Sequence, residues 1–506
     1  MVAKIKTFTF IGVEAVDVSV EVKLASGIVV FNIVGLPDKA VNEAKERIRA
    51  SINSINLSFP AQRLTINLSP ADLNKEGSYL DLPMALGLLV EMNVIKQSSV
   101  DGYAALGELS LDGNINAVNG ILPAAIGASG RGLGIICPKS CGGEALMADR
   151  NLKIIATSNL LELINHLNGK IEMERPTATE RKISANYLDF RDVYGQRLAR
   201  KGAEIAAAGG HNMLMVGPPG TGKSMIAERI LGILPELSKE EMLEINVINS
   251  IAGKIRGGEF LTRRPFRCPH HSCSMPAMVG GGSRPKPGEI TLAHNGILFL
   301  DELPEFSSQV LDSLRQPLET GKVSIARAMQ HITYPADFQL IAAMNPCKCG
   351  RFGISGECRN VPKCAQTYQN KISGPLLDRF DLFVNVDVID IIEEKNNSLP
   401  PESSDKIRER VQLARNIQLE RYKNMAGKKV NSKANGESMN KFMKIDGRME
   451  KILQMAAQKY RLSSRGYNKV IKVARTIADL ENEPNIREEH LTKAILFKQT
   501  DYLTRR

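Results

Sequence analysis

The sequence predicts a mixed α/β protein in three blocks: a P-loop core on a parallel sheet, a smaller α+β block before it and a helical block after it. Three observations predict this. Between about residues 188 and 390, short apolar runs such as MLMV, ILFL and FQLIAA alternate with helical stretches, as buried parallel strands do. One of these runs enters a glycine-rich loop that opens a helix. Beyond residue 400 the pattern is helical, as in KVIKVARTIADL.

The first block, residues 1–170, interleaves strand-like TFTFIGVEAVDVSVEVKL and GIVVFNIVGL with helical DKAVNEAKERIRASINSI and LDLPMALGLLVEMNVI. Residues 171–187 are polar, aperiodic and carry a proline, and read as a linker. The core runs over 188–390 and the helical block over 391–506, interrupted by NMAGKKVNSKANGESMN, which reads as a mobile loop. A chain of 506 residues is long enough for roughly three such domains.

Charge is unevenly placed. Residues 401–506 carry 24 Lys and Arg against 13 Asp and Glu, so this segment accounts for the whole net charge of +11. A basic segment on a neutral body suits a polyanion partner, and equally a solvated helical face. No apolar run approaches the roughly 18 residues of a membrane span, and the opening MVAKIKTFTFIGVEAVDVSV lacks the apolar stretch of a secretory signal. The expected address is the cytoplasm, with no membrane partner.

The strongest motif is Gly217-Pro218-Pro219-Gly220-Thr221-Gly222-Lys223-Ser224, preceded by apolar Met213–Val216 and followed by MIAERILGIL. Glycines let backbone N–H groups turn inward around phosphates, Lys223 supplies a cation to the β- and γ-phosphates, and Ser224 offers an oxygen to Mg²⁺. A nucleotide site of this kind needs a carboxylate at the end of a neighbouring strand. Asp301 and Glu302 after GILFL meet that need, Asp301 for Mg²⁺ and Glu302 to orient the attacking water. Asn345, ending FQLIAAM, is a candidate γ-phosphate sensor or simply a turn before Pro346. Arg379 in SGPLLDRFD is a candidate finger for a neighbouring subunit's nucleotide, and Arg465 in LSSRGY, with Arg475 as its rival, is a candidate to reach the phosphates.

Four of the eight cysteines, Cys347, Cys349, Cys358 and Cys364, fall in one stretch, spaced by Gly350, Gly353 and Gly356. The number suits a tetrahedral zinc site, although C-x-C followed by C-x5-C is not the common paired form; reduced free thiols are the alternative. Cys268-Pro-His270-His271-Ser-Cys273 places neighbouring side chains that point apart, so a structural or coupling role is expected there rather than metal ligation. The segment VGGGSRPK, with Arg284 and Lys286, is either a DNA-facing pore loop or a flexible turn.

Taken in order, the P-loop, LFLDE, AAMNP, LLDRFD and SSRGY resemble an AAA+ ATPase. FRCPHHSC, VGGGSRPKPGEITLAHNGILFLDELPEF and ISGPLLDRFDL narrow the resemblance to the magnesium-chelatase-like YifB/ComM family. GVEAVDVSVEVKLASG, FNIVGLPDKAV, NLSPADLNKEGS and DLPMALG resemble that family's Lon-protease-like, S5-type domain, so the resemblance spans nearly the whole chain. It implies an AAA+ core with a helical lid, ATP and Mg²⁺ as cofactors, a hexameric ring, and a DNA motor that drives branch migration in natural transformation. It further implies Arg379 as the arginine finger, Asn345 and Arg465 as the two sensors, and the stretch Asp192-Val193-Tyr194-Gly195-Gln196 near the adenine. Gly321–His331 resembles the pre-sensor hairpin of replicative helicases, which would set Arg327 on a phosphate of the translocating strand, or else on an exposed surface.

One departure bears on activity. In KEGSYLD, Tyr79 stands near where a Lon-type nucleophile would fall, with Ser78 beside it, and LDGNINAVNG holds no lysine to act as base. A non-proteolytic first domain is therefore expected. The alternatives to a DNA motor are a chelatase-type motor and a protein-remodelling ATPase.

Overall fold

The computed structural model describes residues 2–177, 187–255, 259–282, 286–327, 330–352, 358, 360, 362–389, 400–425 and 430–498. The chain forms two compact units: residues 1–183 with 239–262, and residues 184–238 with 263–506.

The first unit holds a seven-stranded mixed sheet in the order Phe31–Val34, Arg63–Ser69, Glu14–Ala25, Ala3–Ile11, Tyr103–Ala105, Gly134–Pro138, Ile154–Thr157. Ala3–Ile11 and Glu14–Ala25 pair antiparallel from Ala3↔Val22 to Ile11↔Glu14, a register that leaves only two residues for the turn, with Gly12 at φ +64°. Helix Lys39–Ser54 starts at Asp38, whose carboxylate accepts the Val41 N–H at 2.8 Å, and it buries Val41, Ala44, Ile48 and Ile52 along one face. Helix Asp81–Glu91 is apolar almost all round and lies on the two longest strands.

Residues 239–262 depart from the sequence expectation, which placed them inside the 188–390 block. Helix Lys239–Ile251 packs on helix Ile121–Ser129 of the first unit, where the Ser250 carbonyl accepts the Gly120 N–H at 3.3 Å. The expected linker also begins late. Pro176 lies against Gly142, so residues up to 177 still pack on the first unit, while 178–186 lie outside the described residues.

The second unit is built on a wholly parallel five-stranded sheet in the order Phe266–Arg267, Ile297–Leu300, Gln339–Met344, Met213–Val216, Leu382–Asn385. The central strands are buried at every position, which is why they read as unbroken apolar runs. Helices Arg197–Gly209 and Lys223–Ile233 pack on each other, and helix Ser404–Arg421 packs on both. Helices Ser404–Arg421, Gly447–Tyr460, Ser464–Leu480 and Glu488–Leu496 make up the helical block.

The segment expected to be a mobile loop is ordered where it is described. Asn431 is fully buried: its side chain donates to Asp479 at 2.8 Å and Thr476 at 3.0 Å and accepts from Tyr422 at 2.8 Å, and helix Gly436–Phe442 follows through a capping box at Asn435. Among the polar residues that suggested a loop, Asn431 and Ser438 are interior hydrogen-bonding groups, whereas Lys433, Asn435 and Glu437 are exposed. No helix among the described residues is long and apolar enough to cross a membrane.

Candidate nucleotide site

Strand register decides which ends meet. Val216 pairs with Met344 and Leu300 with Ala342, so the residues after all three strands, Gly217, Asp301 and Asn345, emerge at one edge of the sheet. Open α/β sheets bind ligands at this carboxyl edge. The loop between Gly217 and Lys223 is shaped by glycine: Gly220 and Gly222 stand at φ +77° and +88°, and a Cβ on Gly217 would fall 2.0 Å from the Val386 carbonyl oxygen.

Lys223 Nζ donates to the carbonyls of Gly217 at 2.8 Å and Pro218 at 2.7 Å and to Asn345 Oδ1 at 3.2 Å. Burial lowers its ammonium to about 8, against the opposing pull of Asp301 and Glu302. Ser224 Oγ donates to Asp301 Oδ2 at 2.6 Å, so the hydroxyl and carboxylate expected at Mg²⁺ are in direct contact. Glu302 sits at φ +51°, a left-handed conformation uncommon for glutamate, with its N–H on Asp301 Oδ1 at 2.9 Å.

The stretch expected near the adenine is tied to the same loop. Gln196 donates to the Thr221 carbonyl at 3.3 Å, and Asp192 pairs with Arg229 of the P-loop helix at 2.7 Å. Between them Val193 is buried, Tyr194 and Gly195 are part-buried, and Gly195 turns the chain at φ +60°.

Arg379 lies elsewhere. Its carbonyl accepts from Asn212 at 3.0 Å, immediately before strand Met213–Val216, so it stands at the opposite end of that strand from the P-loop, roughly 13 Å away at the usual rise. There it pairs with Glu319, which Arg465 also meets at 3.2 Å, and both arginines line one pocket with Arg315, Asp378 and Ser463. Ser463 caps the helix that carries Arg465, accepting the Gly466 N–H at 3.1 Å. Arg475, the alternative to Arg465, is buried and spent on Asp479 and on the carbonyls of Glu483 and Pro484, and so has no path to a phosphate. Asp381 joins the two arginine-bearing segments: it accepts the Asn212 N–H at 2.9 Å and pairs with Lys469 at 2.8 Å.

Residues 189–394 match the family model described as magnesium chelatase, subunit ChlI; residues 20–141 match subunit ChlI of Mg-chelatase, and residues 401–498 the ChlI C-terminal region. The chain is 42% identical to competence protein ComM of Haemophilus influenzae over 493 residues, 96% of this chain and 95% of that protein. The chain belongs to the magnesium-chelatase-like YifB/ComM family of AAA+ ATPases. YifB of Escherichia coli is 41% identical over 99% of this chain and 97% of its own length. DNA replication licensing factor mcm6 of Schizosaccharomyces pombe is 24% identical over 314 residues, 56% of this chain and 31% of that protein. Membership implies an ATPase that uses ATP with Mg²⁺.

The remaining expected residues are placed as follows. Cys347, Cys349, Cys358 and Cys364 come together with all four Sγ atoms within 4.8 Å of one another, while Gly353 and Gly356 lie outside the described residues. The Arg351 N–H and the Cys347 thiol hold the Cys349 thiol down, to about 7. Arg327 ends the first strand of the antiparallel hairpin Lys322–Arg327 and Gln330–Pro335, opposite Gln330; its side chain lies outside the described part, as does Arg284. Lys286 is exposed, on a short strand pairing Gly281.

Sequence reasoning missed the place of His271, whose Nδ1 lies 3.4 Å from Glu302; its ring and that of His270, expected to point apart, lie tilted with centroids 4.1 Å apart. No signal in the sequence located it, because the pairing of Phe266–Arg267 with Ile297–Leu300, which brings CPHHSC beside Glu302, is set only in the folded sheet. Ser78 is held by Glu108, and Lys75 by the Pro70 carbonyl.

Proposed function

We propose that the chain is a ring-forming ATPase, most simply a hexamer, that hydrolyses ATP between subunits and uses the cycle to translocate on or remodel DNA, as a branch-migration motor in natural transformation or recombination. The observation that carries the ring is the separation of Arg379 and Arg465 from the P-loop of their own chain. Two arginines gathered on one carboxylate, at the far end of the strand that leads into the P-loop, are of use to a phosphate only when a second copy brings its nucleotide to them.

In this reading Lys223 and the P-loop N–H groups hold the β- and γ-phosphates, Ser224 and Asp301 hold Mg²⁺, and Glu302 takes the proton of the attacking water. Asn345, hydrogen-bonded to Lys223, reports the γ-phosphate to the strand that carries it. Arg379 and Arg465 of the neighbouring copy meet the charge that develops in the transition state. DNA as substrate is supported by the name of the Haemophilus relative, by the similarity to a replication licensing factor, and by the basic helical block. The hairpin ending at Arg327, with Arg284 and Lys286, is the proposed DNA-facing surface. The first unit is read as non-proteolytic, since Ser78 and Lys75 are each engaged with other partners. The family models, named for magnesium chelatase, favour as second reading a motor acting on protein or chelatase partners without DNA.

ATP hydrolysis measured alone, with single-stranded DNA and with a four-way junction whose strand exchange is followed in the same tube separates the two. Exchange that needs ATP and is lost in Lys223→Ala is expected; turnover indifferent to every DNA would leave the protein-remodelling reading. Arg379→Ala should lose turnover by roughly a thousandfold, and mixing it with Lys223→Ala subunits should restore a part. No restoration would sink the shared site.

A further inference from the structure

We propose that Cys347, Cys349, Cys358 and Cys364 hold one structural zinc ion, and that this ion braces the P-loop, so that nucleotide affinity depends on metal loading. The second half rests on the nucleotide reading above; the first does not.

The sulfur geometry is that of a single-ion site. Cys349 Sγ lies 3.2 Å from Cys347, 3.5 Å from Cys358 and 3.9 Å from Cys364, and no pair in the group exceeds 4.8 Å. Four sulfurs placed tetrahedrally about a zinc at ~2.3 Å stand about 3.8 Å apart. The separations bracket that value, exceed a disulfide bond, and leave room for one ion rather than an iron–sulfur cluster. The turn that follows is built to serve sulfur. Gly350, at φ +77°, returns its N–H to the Cys347 carbonyl at 2.9 Å, and the Phe352 N–H points at Cys347 Sγ at 3.3 Å. Four thiolates this close repel one another strongly, and a soft divalent cation relieves that repulsion.

The ion would add a further tie between the strand end that carries Asn345 and the helix that carries Cys364. Cys347 and Cys349 follow the strand Gln339–Met344 by way of Asn345, which accepts from Lys223. Cys364 is on helix Lys363–Gln369, whose Gln369 donates to the Pro346 carbonyl at 2.7 Å. Gly350 is pressed against the P-loop, where a Cβ would come within 2.6 Å of Pro219 Cδ. One ion therefore fixes the residue that touches Lys223 and the turn that backs Pro219.

The test uses the full chain. Metal analysis should give one zinc per chain, and cobalt exchanged into the site should show sulfur-to-metal charge-transfer and tetrahedral d–d absorption. Both should be lost in Cys358→Ser and Cys364→Ser. Removing zinc from the wild type with a chelator should weaken binding of a fluorescent ATP analogue roughly tenfold or more, and added zinc should restore it. Gly350→Ala keeps all four ligands; it should retain zinc yet bind the analogue more weakly. Absence of metal, or metal retained after both serine substitutions, overturns the site. Unchanged analogue binding after zinc removal, or in zinc-loaded Gly350→Ala, overturns the brace. Lys223→Ala should keep its zinc while losing the nucleotide, so a failure of the nucleotide reading would be seen separately. Where the serine variants do not fold, reversible chelation of the wild type decides.

Discussion

Lys75 and Lys223 are the same residue, each within three positions of a serine, each stripped of water, and each with its ammonium lowered by burial. Lys75, in the first unit, gives its Nζ to the Pro70 carbonyl, and nearby Ser78 gives its hydroxyl to Glu108. Lys223, in the second, rests on two carbonyls of a glycine-rich turn and on Asn345, while Ser224 touches Asp301. The difference lies in the surroundings. Around Lys75 stand one carbonyl and the charge of Asp72; around Lys223 two carboxylates, an amide and a loop turned by positive-φ glycines converge from three strand ends. A buried lysine becomes a reagent only where the fold aims other groups at the same point.

The largest effect expected on this contrast is on chemistry rather than binding. Glu302→Gln should keep ATP but lower kcat by roughly a thousandfold, read as a trapped nucleotide in single-turnover assays. Equal loss of binding would show that Glu302 holds the nucleotide instead of orienting water. Lys223→Ala should weaken ATP about a hundredfold or more, the cost of removing one member of a buried charged contact. Lys75→Met should leave ATP affinity unchanged in the same titration; a drop in affinity there would break the comparison.

Next in size is a pH effect confined to the second lysine. Its pKa is lowered to about 8, so the free protein loses the charge proposed to bind phosphate as pH rises through about 8. Nucleotide affinity should hold below that pH and then fall, approaching about tenfold per pH unit. An affinity flat to pH 10 would place the charge elsewhere. Smallest is His271→Ala. A part-exposed pair is worth about 1 kcal/mol at most, so releasing Glu302 should change basal turnover by no more than about fivefold, with ATP affinity constant.

Legibility in the sequence follows how local the cause is. The apolar run MLMV before GPPGTGKS and the run ILFL before Asp301 announce buried strands and their exits, because burial of a parallel strand on both faces leaves a continuous mark. Whether Arg465 or Arg475 is free was not legible, since both sit on one helical pattern. The decision is tertiary: Arg475 faces inward on Asp479, one turn on, and the carbonyls beyond it, while Arg465 stands in the first turn where the helix is exposed. The docking of Lys239–Ile251 on the first unit was hidden for the same reason; an amphipathic stretch does not say whose core it completes. The cysteine spacing was ambiguous as text, because the folded loop, and not the count of residues between them, sets Cys347 and Cys349 Sγ 3.2 Å apart.

Asp381 carries a mechanical consequence. Lys469, together with His211, holds its carboxyl well below the usual range despite burial, which keeps this buried carboxylate ionised at neutral pH. Through it, the helix bearing Arg465 is tied by Lys469 to the segment bearing Arg379 and, by the Asn212 N–H, to the start of strand Met213–Val216. In the proposed ring, a push on either arginine would reach the strand that leads into the P-loop through this carboxylate, as a load passes through a linchpin.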